Sequence, residues 1–407
     1  MHRDQLNRRE FLLRGTLAAA ATTLSGTAFS AVSTQASALH RSAYVFDGHV
    51  HALDREFYHG GNITDRVDTG QWDLPRAKEG GVDAFFLSVY VPEEYYPGRY
   101  ETKQALRRID HALDQVHRAN PKLGFALNGS DLLKLQDQGK IAAVLDIEGS
   151  YDLDGDLHVL RSLHQLGLRS AQVSAHNWNQ HYADACCSTA QWGGLTSHGR
   201  DVVREMNRLG MVINVSHAAD TTMAQVIDAS ERPVVATHHG LRQVNDIPRN
   251  MPDALLRKLV DRGGVIGFQI GSEFAFPREY TWLTAHRKKT FWDTTSIPER
   301  TAGKTIYEID ELVAPTFPML GAQVPDDVAM HIDDWVGVVD RGIQLVGEDA
   351  VALGSDFDGG PTLARGMRDV RDLSMITEAM LRRGYTETRI RKFLGGNLRR
   401  VFSQATA

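Results

Sequence analysis

The sequence holds only two cysteines in 407 residues, and Cys186 and Cys187 are adjacent, so disulfides do not tie distant segments of this chain together. It also lacks a convincing membrane span. The apolar stretch Leu17–Phe29 is shorter than the roughly 20 residues that cross a bilayer, and it includes Thr, Ser and Gly. Residues 395–407 carry Arg399-Arg400 and no long apolar tail, so nothing suggests a C-terminal anchor. Positive charge is not in excess either: 45 Lys and Arg face 51 Asp and Glu, a formal net charge of −6, which argues against nucleic acid as a partner. No internal repeat or low-complexity tract follows the N-terminal leader.

What is present begins with that leader. Asn7-Arg8-Arg9-Glu10-Phe11-Leu12, the apolar stretch and the small residues ending at Ala36-Ser37-Ala38 read as a twin-arginine export signal over residues 1–38. Cleavage near Ala38 would leave a periplasmic or secreted protein, residues 39–407, with no stable membrane anchor. The mature part would hold 41 basic and 49 acidic residues, a net charge of −8. The route exports proteins already folded, so a metal acquired in the cytoplasm could travel with the chain.

Apolar runs bounded by Gly, Asp and Pro give eight strand candidates: 44–51, 84–91, 141–148, 170–176, 211–217, 233–238, 265–271 and 351–356. Amphipathic helical pattern follows most of them, clearest over 157–166, 199–209, 220–229 and 253–262. Strand and helix alternating in this way predict an α/β protein, a single (β/α)8 TIM-type barrel with a parallel sheet. One segment breaks the rhythm after the seventh strand. Residues 272–327 form an insertion rich in aromatics, among them Phe274, Phe276, Trp282, Phe291 and Trp292. It is either a lid over the catalytic face or a peripheral excursion that covers helices or makes a homodimer contact.

The chemistry lies at the strand ends. His49, His51, Glu148, His176, His217, His238 and Asp356 each close an apolar run, and in a barrel such ends converge on one face. His49 and His51 alternate on a strand and point to one side, so both can grip one ion. Glu148 ends an apolar strand, where an unpaired buried carboxylate would be costly; a cation removes that cost, and a carboxylate can bridge two. His217 and His238 offer a second position, since neutral imidazole ligates zinc well. His239 should face away from it. Asp356 suits proton transfer beside a metal-activated water, whereas Asp358, before Gly359, reads as a turn residue. Arg249 can hold a carboxylate in two-point geometry, although alone it would equally suit a surface ion pair.

These residues resemble the renal or membrane dipeptidase family, zinc peptidases on an amidohydrolase-like barrel. The matching stretches include Asp47-Gly48-His49, Asp73-Leu74-Pro75-Arg76, Ile147-Glu148-Gly149, Val215-Ser216-His217, Pro248-Arg249-Asn250 and Gly354-Ser355-Asp356-Phe357-Asp358-Gly359, in the family's order across essentially the whole mature chain. The resemblance implies two Zn2+ ions bridged by Glu148, one also held by His49 and His51, the other by His217 and His238. It further implies that a metal-bridging hydroxide attacks the peptide bond of a dipeptide, that Asp356 handles the proton, that His176 stabilises the oxyanion, and that Arg249 holds the substrate's free C-terminal carboxylate. Two departures stand out. His51 occupies a place where the family usually has Asp, making that site more positive by one unit, and the 272–327 insertion is long. They leave room for an amidohydrolase acting on another amide, a lactone or an N-acyl amino acid. A silent binding protein with structural metals is a third reading, disfavoured by the intact Asp356.

Overall fold

Apolar runs of β-branched and small residues build the sheet that this chain folds around. In the computed structural model, which describes residues 32–96, 98, 100–149, 156–174, 179, 181–286, 296–314 and 324–407, the strands are β1 Val45–Val50, β2 Val82–Tyr90, β3 Leu123–Phe125, β4 Ile141–Glu148, β5 Ser170–Gln172, β6 Val212–Asn214, β7 Val235–His239, β8 Val265–Phe268 and β9 Val351–Leu353. They are hydrogen-bonded in the order β1-β2-β4-β5-β6-β7-β8-β9, all parallel, with β3 paired to the start of β4. β4 is buried along its entire length, as expected for a parallel strand covered on both faces.

The sheet closes on itself beyond the regular ladder. His51 N donates to Phe357 O and Asp356 N donates to His49 O, both at 2.9 Å, which joins the segment after β9 to the end of β1. The result is the (β/α)8 barrel expected. Its interior is tight: a Cβ added at Gly354 would lie 1.9 Å from the Thr237 carbonyl oxygen, so only glycine lets these two backbones pass.

The eight expected strands are present, but four of them end three or four residues early and one begins late. β5 stops at Gln172, β6 at Asn214, β7 begins two residues late at Val235, β8 stops at Phe268 and β9 at Leu353, where the sequence pattern runs on to residues 176, 217, 271 and 356. The reason is local. His217 and Asp356 adopt left-handed backbone, with φ of 64° and 62°, which cannot continue a ladder. Helices return the chain between strands. Ser197–Leu209 is capped by the Thr196 side chain, which accepts from Gly199 N, and ends at left-handed Gly210. Asp220–Ala229 and Asp253–Asp261 fall where the periodicity places them.

At the N-terminus, the boundary expected near Ala38 lies within a helix, Thr34–Ser42. Its Ala36 is fully buried, and Ser33 donates from N at 3.0 Å and from Oγ at 2.5 Å to Glu378. The insertion after β8 forms the helices Ser272–Ala275, Pro277–His286, Ile297–Thr301 and Ile306–Val313. Its far end is anchored by Asp310, which accepts from Tyr96 Oη at 2.7 Å and from Gln104 and Arg107 of the helix Glu101–Arg118. Its near end enters the site described next. Phe291 and Trp292 lie outside the described residues.

Candidate metal centre

Of the six metal and proton-handling residues singled out from strand ends, the four histidines meet at Glu148, and Asp356 stands beside them. Glu148 Oε2 is 3.0 Å from His49 Nε2 and 2.9 Å from His51 Nε2. Its other oxygen, Oε1, is 3.1 Å from His217 Nε2 and 4.0 Å from His238 Nε2. One carboxylate thus presents each oxygen to a separate pair of imidazoles. Asp356 Oδ1 lies 3.4 Å from His51 Nε2 and 3.9 Å from His49 Nε2. All six side chains are buried.

The donor chemistry fits divalent cations. His49 Nε2 and His51 Nε2 are 3.1 Å apart, and His217 Nε2 and His238 Nε2 are 3.0 Å apart, so ring nitrogens confront one another across each gap. Ring nitrogens gathered this closely around one carboxylate form a donor set that would suit a divalent cation. The groups His49–Glu148–His238 and His49–His51–Asp356 each bring ligand atoms within 4.8 Å of one another. His239 joins neither group among the described residues, as its strand parity predicts.

Electrostatics follow from this crowding. For His51, burial works to lower the imidazole, but the Glu148 carboxylate, then Asp356 and Asp54, outweigh it and hold the ring well above the usual histidine range. For Glu148, burial works to raise the carboxyl, and the His51 and His49 charges reverse that, keeping it well below its ordinary value. Burial drives His238 well below the usual range, with His49 and Arg249 adding to the effect.

The backbone is strained where function would need it. Asp356 sits at φ 62° and is held by the N–H to His49 O and by Gln269 Nε2, which donates to Asp356 Oδ2 at 2.7 Å. Gly359 makes room for it: a Cβ there would meet Asp356 Oδ1 at 2.0 Å and His51 Cδ2 at 2.6 Å. Asp358 is in a left-handed turn as expected, φ 61°, and it is also buried, accepting from Gln71 N and, at 3.1 Å, from Trp72 N. Burial pushes its carboxyl up to about 6, against the lowering effect of the Gln71 N–H.

Arg249 is no surface residue. It is buried; Nη2 donates to His238 O at 2.9 Å, while Nε and Nη1 have no hydrogen-bond partner among the described residues. Burial lowers its guanidinium, opposed by Cys186, Cys187, Asp356 and Glu148, which places its charge within reach of the metal-donor cluster. The Phe274 ring of the insertion lies 5.2 Å from the guanidinium, and Asn250 Nδ2 donates to Phe274 O at 2.8 Å. The insertion therefore begins as a wall of this site. His176 lies outside the described residues.

Sequence reasoning missed three side chains that support the cluster. Asp54 is 2.8 Å from His51 Nδ1, Asp146 is 3.7 Å from His49 Nδ1, and Gln269 braces Asp356. Asp146 carried a signal, being a carboxylate within an apolar strand two residues before Glu148. The others carried none.

Comparison with known proteins agrees with this geometry. The model of the family described as membrane dipeptidase, peptidase family M19, matches residues 33–407. Dipeptidase verJ of Clonostachys rogersoniana is 29% identical over 339 residues, 81% of this chain and 74% of that protein. Dipeptidase 3 of Rattus norvegicus is 29% identical over 386 residues, 91% of this chain and 67% of that protein. Among solved structures, the probable dipeptidase PvdM from Pseudomonas aeruginosa superposes with a TM-score of 0.75 at 25% identity, covering 91% of this chain and 98% of that one.

Proposed function

Because the chain belongs to the membrane dipeptidase family of metallopeptidases, and is a dipeptidase of that family, we propose that it cleaves dipeptides bearing a free C-terminal carboxylate, with two zinc ions shared by Glu148. His49 and His51 would hold one ion, His217 and His238 the other. The observation that carries this reading is the pair of Glu148 oxygens, each facing its own pair of imidazoles at 2.9 to 4.0 Å. Bound there, the ions supply Lewis acidity and a water acidic enough to act as nucleophile near neutral pH.

The chain's own residues do the rest. Arg249, whose Nε and Nη1 have no hydrogen-bond partner among the described residues, receives the substrate carboxylate by a charge-assisted hydrogen bond, which fixes the scissile amide relative to Glu148. Asp356, braced by Gln269, takes a proton from the attacking water and returns it to the departing amine. His176 is assigned the developing oxyanion, on family resemblance. The Phe274 wall excludes water from the Arg249 end of the pocket. Export by the twin-arginine route to the periplasm or beyond is part of the same proposal, supported by Arg8-Arg9 and the leader after them.

The test is metal content of the purified protein measured alongside amino-acid release from a dipeptide library. About two zinc ions per chain with release of free amino acids is the expected result. Metal-loaded protein that cleaves no dipeptide but hydrolyses N-acyl amino acids or lactones would favour the amidohydrolase reading, to which His51 in place of the family's Asp lends support.

A further inference from the structure

A carboxylate, that of Asp54, stands directly behind the imidazole of His51. Resting on the metal reading above, we infer that Asp54 is the positioning residue that makes His51 a ligand, by fixing its ring and its tautomer from behind.

His51 Nδ1 and Asp54 Oδ2 are 2.8 Å apart, and both side chains are buried. Asp54 opens the short helix Asp54–His59, so a single turn of chain carries both partners and their separation is set by local backbone. The carboxylate is itself held. Arg108, from the helix Glu101–Arg118, donates to Asp54 Oδ1, and its guanidinium packs 4.5 Å from the Phe57 ring and 4.7 Å from the Tyr58 ring.

An imidazole can carry its proton on either nitrogen. In the neutral ring that ligates a metal, donation of Nδ1–H to Asp54 leaves the lone pair on Nε2, the nitrogen 2.9 Å from Glu148 Oε2. With no acceptor at Nδ1, the ring is free to place its proton on Nε2 and point a hydrogen at the ion. His49 lacks an equal partner, since Asp146 Oδ2 stands at 3.7 Å from Nδ1, beyond hydrogen-bond reach. Of these two rings, His51 is thus the one whose tautomer is imposed more firmly.

The alternative is that Asp54 serves only to neutralise buried Arg108. Zn2+ titration of the full chain, stripped of metal and competed against a chromophoric chelator, separates the two. Asp54→Asn should weaken one of the two Zn2+ sites about 10- to 100-fold, as loss of an outer-shell carboxylate does, and leave the other within about threefold. In a His51→Asp background, where no imidazole needs orienting, the same change should move affinity by no more than about threefold. Equal losses in both backgrounds, or no loss in either, would overturn the inference while leaving the metal centre intact. A wild-type chain that binds no Zn2+ would instead remove the metal reading itself. Should Asp54→Asn not fold, nitrogen-15 NMR of Zn2+-loaded wild type decides: His51 should keep its proton on Nδ1, and ligation through Nδ1 would refute the assignment.

Discussion

Arg249 donates from Nη2 to the carbonyl oxygen of His238 at 2.9 Å, so the guanidinium is aligned by the backbone of a candidate ligand while Nε and Nη1 are buried with no hydrogen-bond partner among the described residues. Unmet donors on a buried cation are costly, and a substrate carboxylate that accepts from Nη1 or from Nε relieves that cost. Hydrogen bonds to charged groups contribute about 1.5–3 kcal/mol. Arg249→Ala should therefore lower kcat/KM on dipeptides by roughly 10- to 150-fold, and do little to dipeptide amides or esters that lack the carboxylate. Equal losses on both substrate sets, in steady-state assays, would count against this role.

Asp356 offers a cleaner separation of binding from chemistry. Its φ of 62° is a conformation that Asn tolerates nearly as well as Asp, and the Gln269 hydrogen bond survives with an amide oxygen in place of the carboxylate oxygen. Asp356→Asn should keep its metal and its melting temperature. Its kcat should fall by about 10²–10⁴, the usual worth of a general acid–base group. A variant that turned over normally would exclude Asp356 as the proton carrier.

Removing metal should be felt in stability as well as activity. If the ring nitrogens that face each other at 3.0 and 3.1 Å share cations as proposed, chelation removes that charge from a buried site. A ligand that binds only the folded state stabilises by about 2.7 kcal/mol at a hundred times its Kd. Calorimetry should show the melting temperature rising with added Zn2+ in wild type. The response should be largely abolished in Glu148→Gln, because the bridging charge is gone. A flat response in wild type would contradict the centre.

The N-terminal helix makes a separate demand. Thr34–Ser42 buries Ala36 and is tied by Ser33 to Glu378, although the signal pattern would place the end of the leader near Ala38. A chain starting at Leu39 loses the N-cap and these contacts, the cap alone being worth about 0.5–2 kcal/mol. It should melt several degrees below a chain starting at Ser33. Identical melting curves would show that residues 33–38 contribute nothing to the fold.

How much of this was legible before the structure depends on what kind of signal each residue leaves. Glu148, His217 and His238 are readable because a charged or imidazole group at the close of an apolar strand breaks a pattern. β3 is not, since Leu123-Gly124-Phe125 is too short and glycine-bearing to show a period. Asp54 hides as an ordinary acidic residue at a helix start, and Gln269 as a polar residue after a strand; only three-dimensional closure puts them behind His51 and Asp356. Strand ends were overestimated for a related reason. Residues such as His217 continue an apolar run in sequence, but turn out of the ladder to present their side chains at the barrel mouth.

His40, in that same N-terminal helix, gives the sign of one pH dependence. Its ring is buried between Thr377 Oγ1, 2.8 Å from Nδ1, and Gly80 O, 2.9 Å from Nε2. The neutral tautomer satisfies both contacts, accepting from the threonine and donating to the carbonyl. Burial lowers its pKa below the usual 6.5, with the Gly80 hydrogen bond opposing and Arg41 adding to the fall. The unfolded chain then takes up a proton near pH 6.5 while the folded chain does not. Stability from this group is fully present above that value and declines as pH drops through it toward the folded-state pKa. Replacing the imidazole with a non-titrating amide, His40→Gln, should cost stability at pH 8 and make the difference from wild type shrink between about pH 6.5 and 5. Denaturant unfolding at each pH, with metal loading matched, measures that difference; a gap that widened on acidification would reverse the sign argued here.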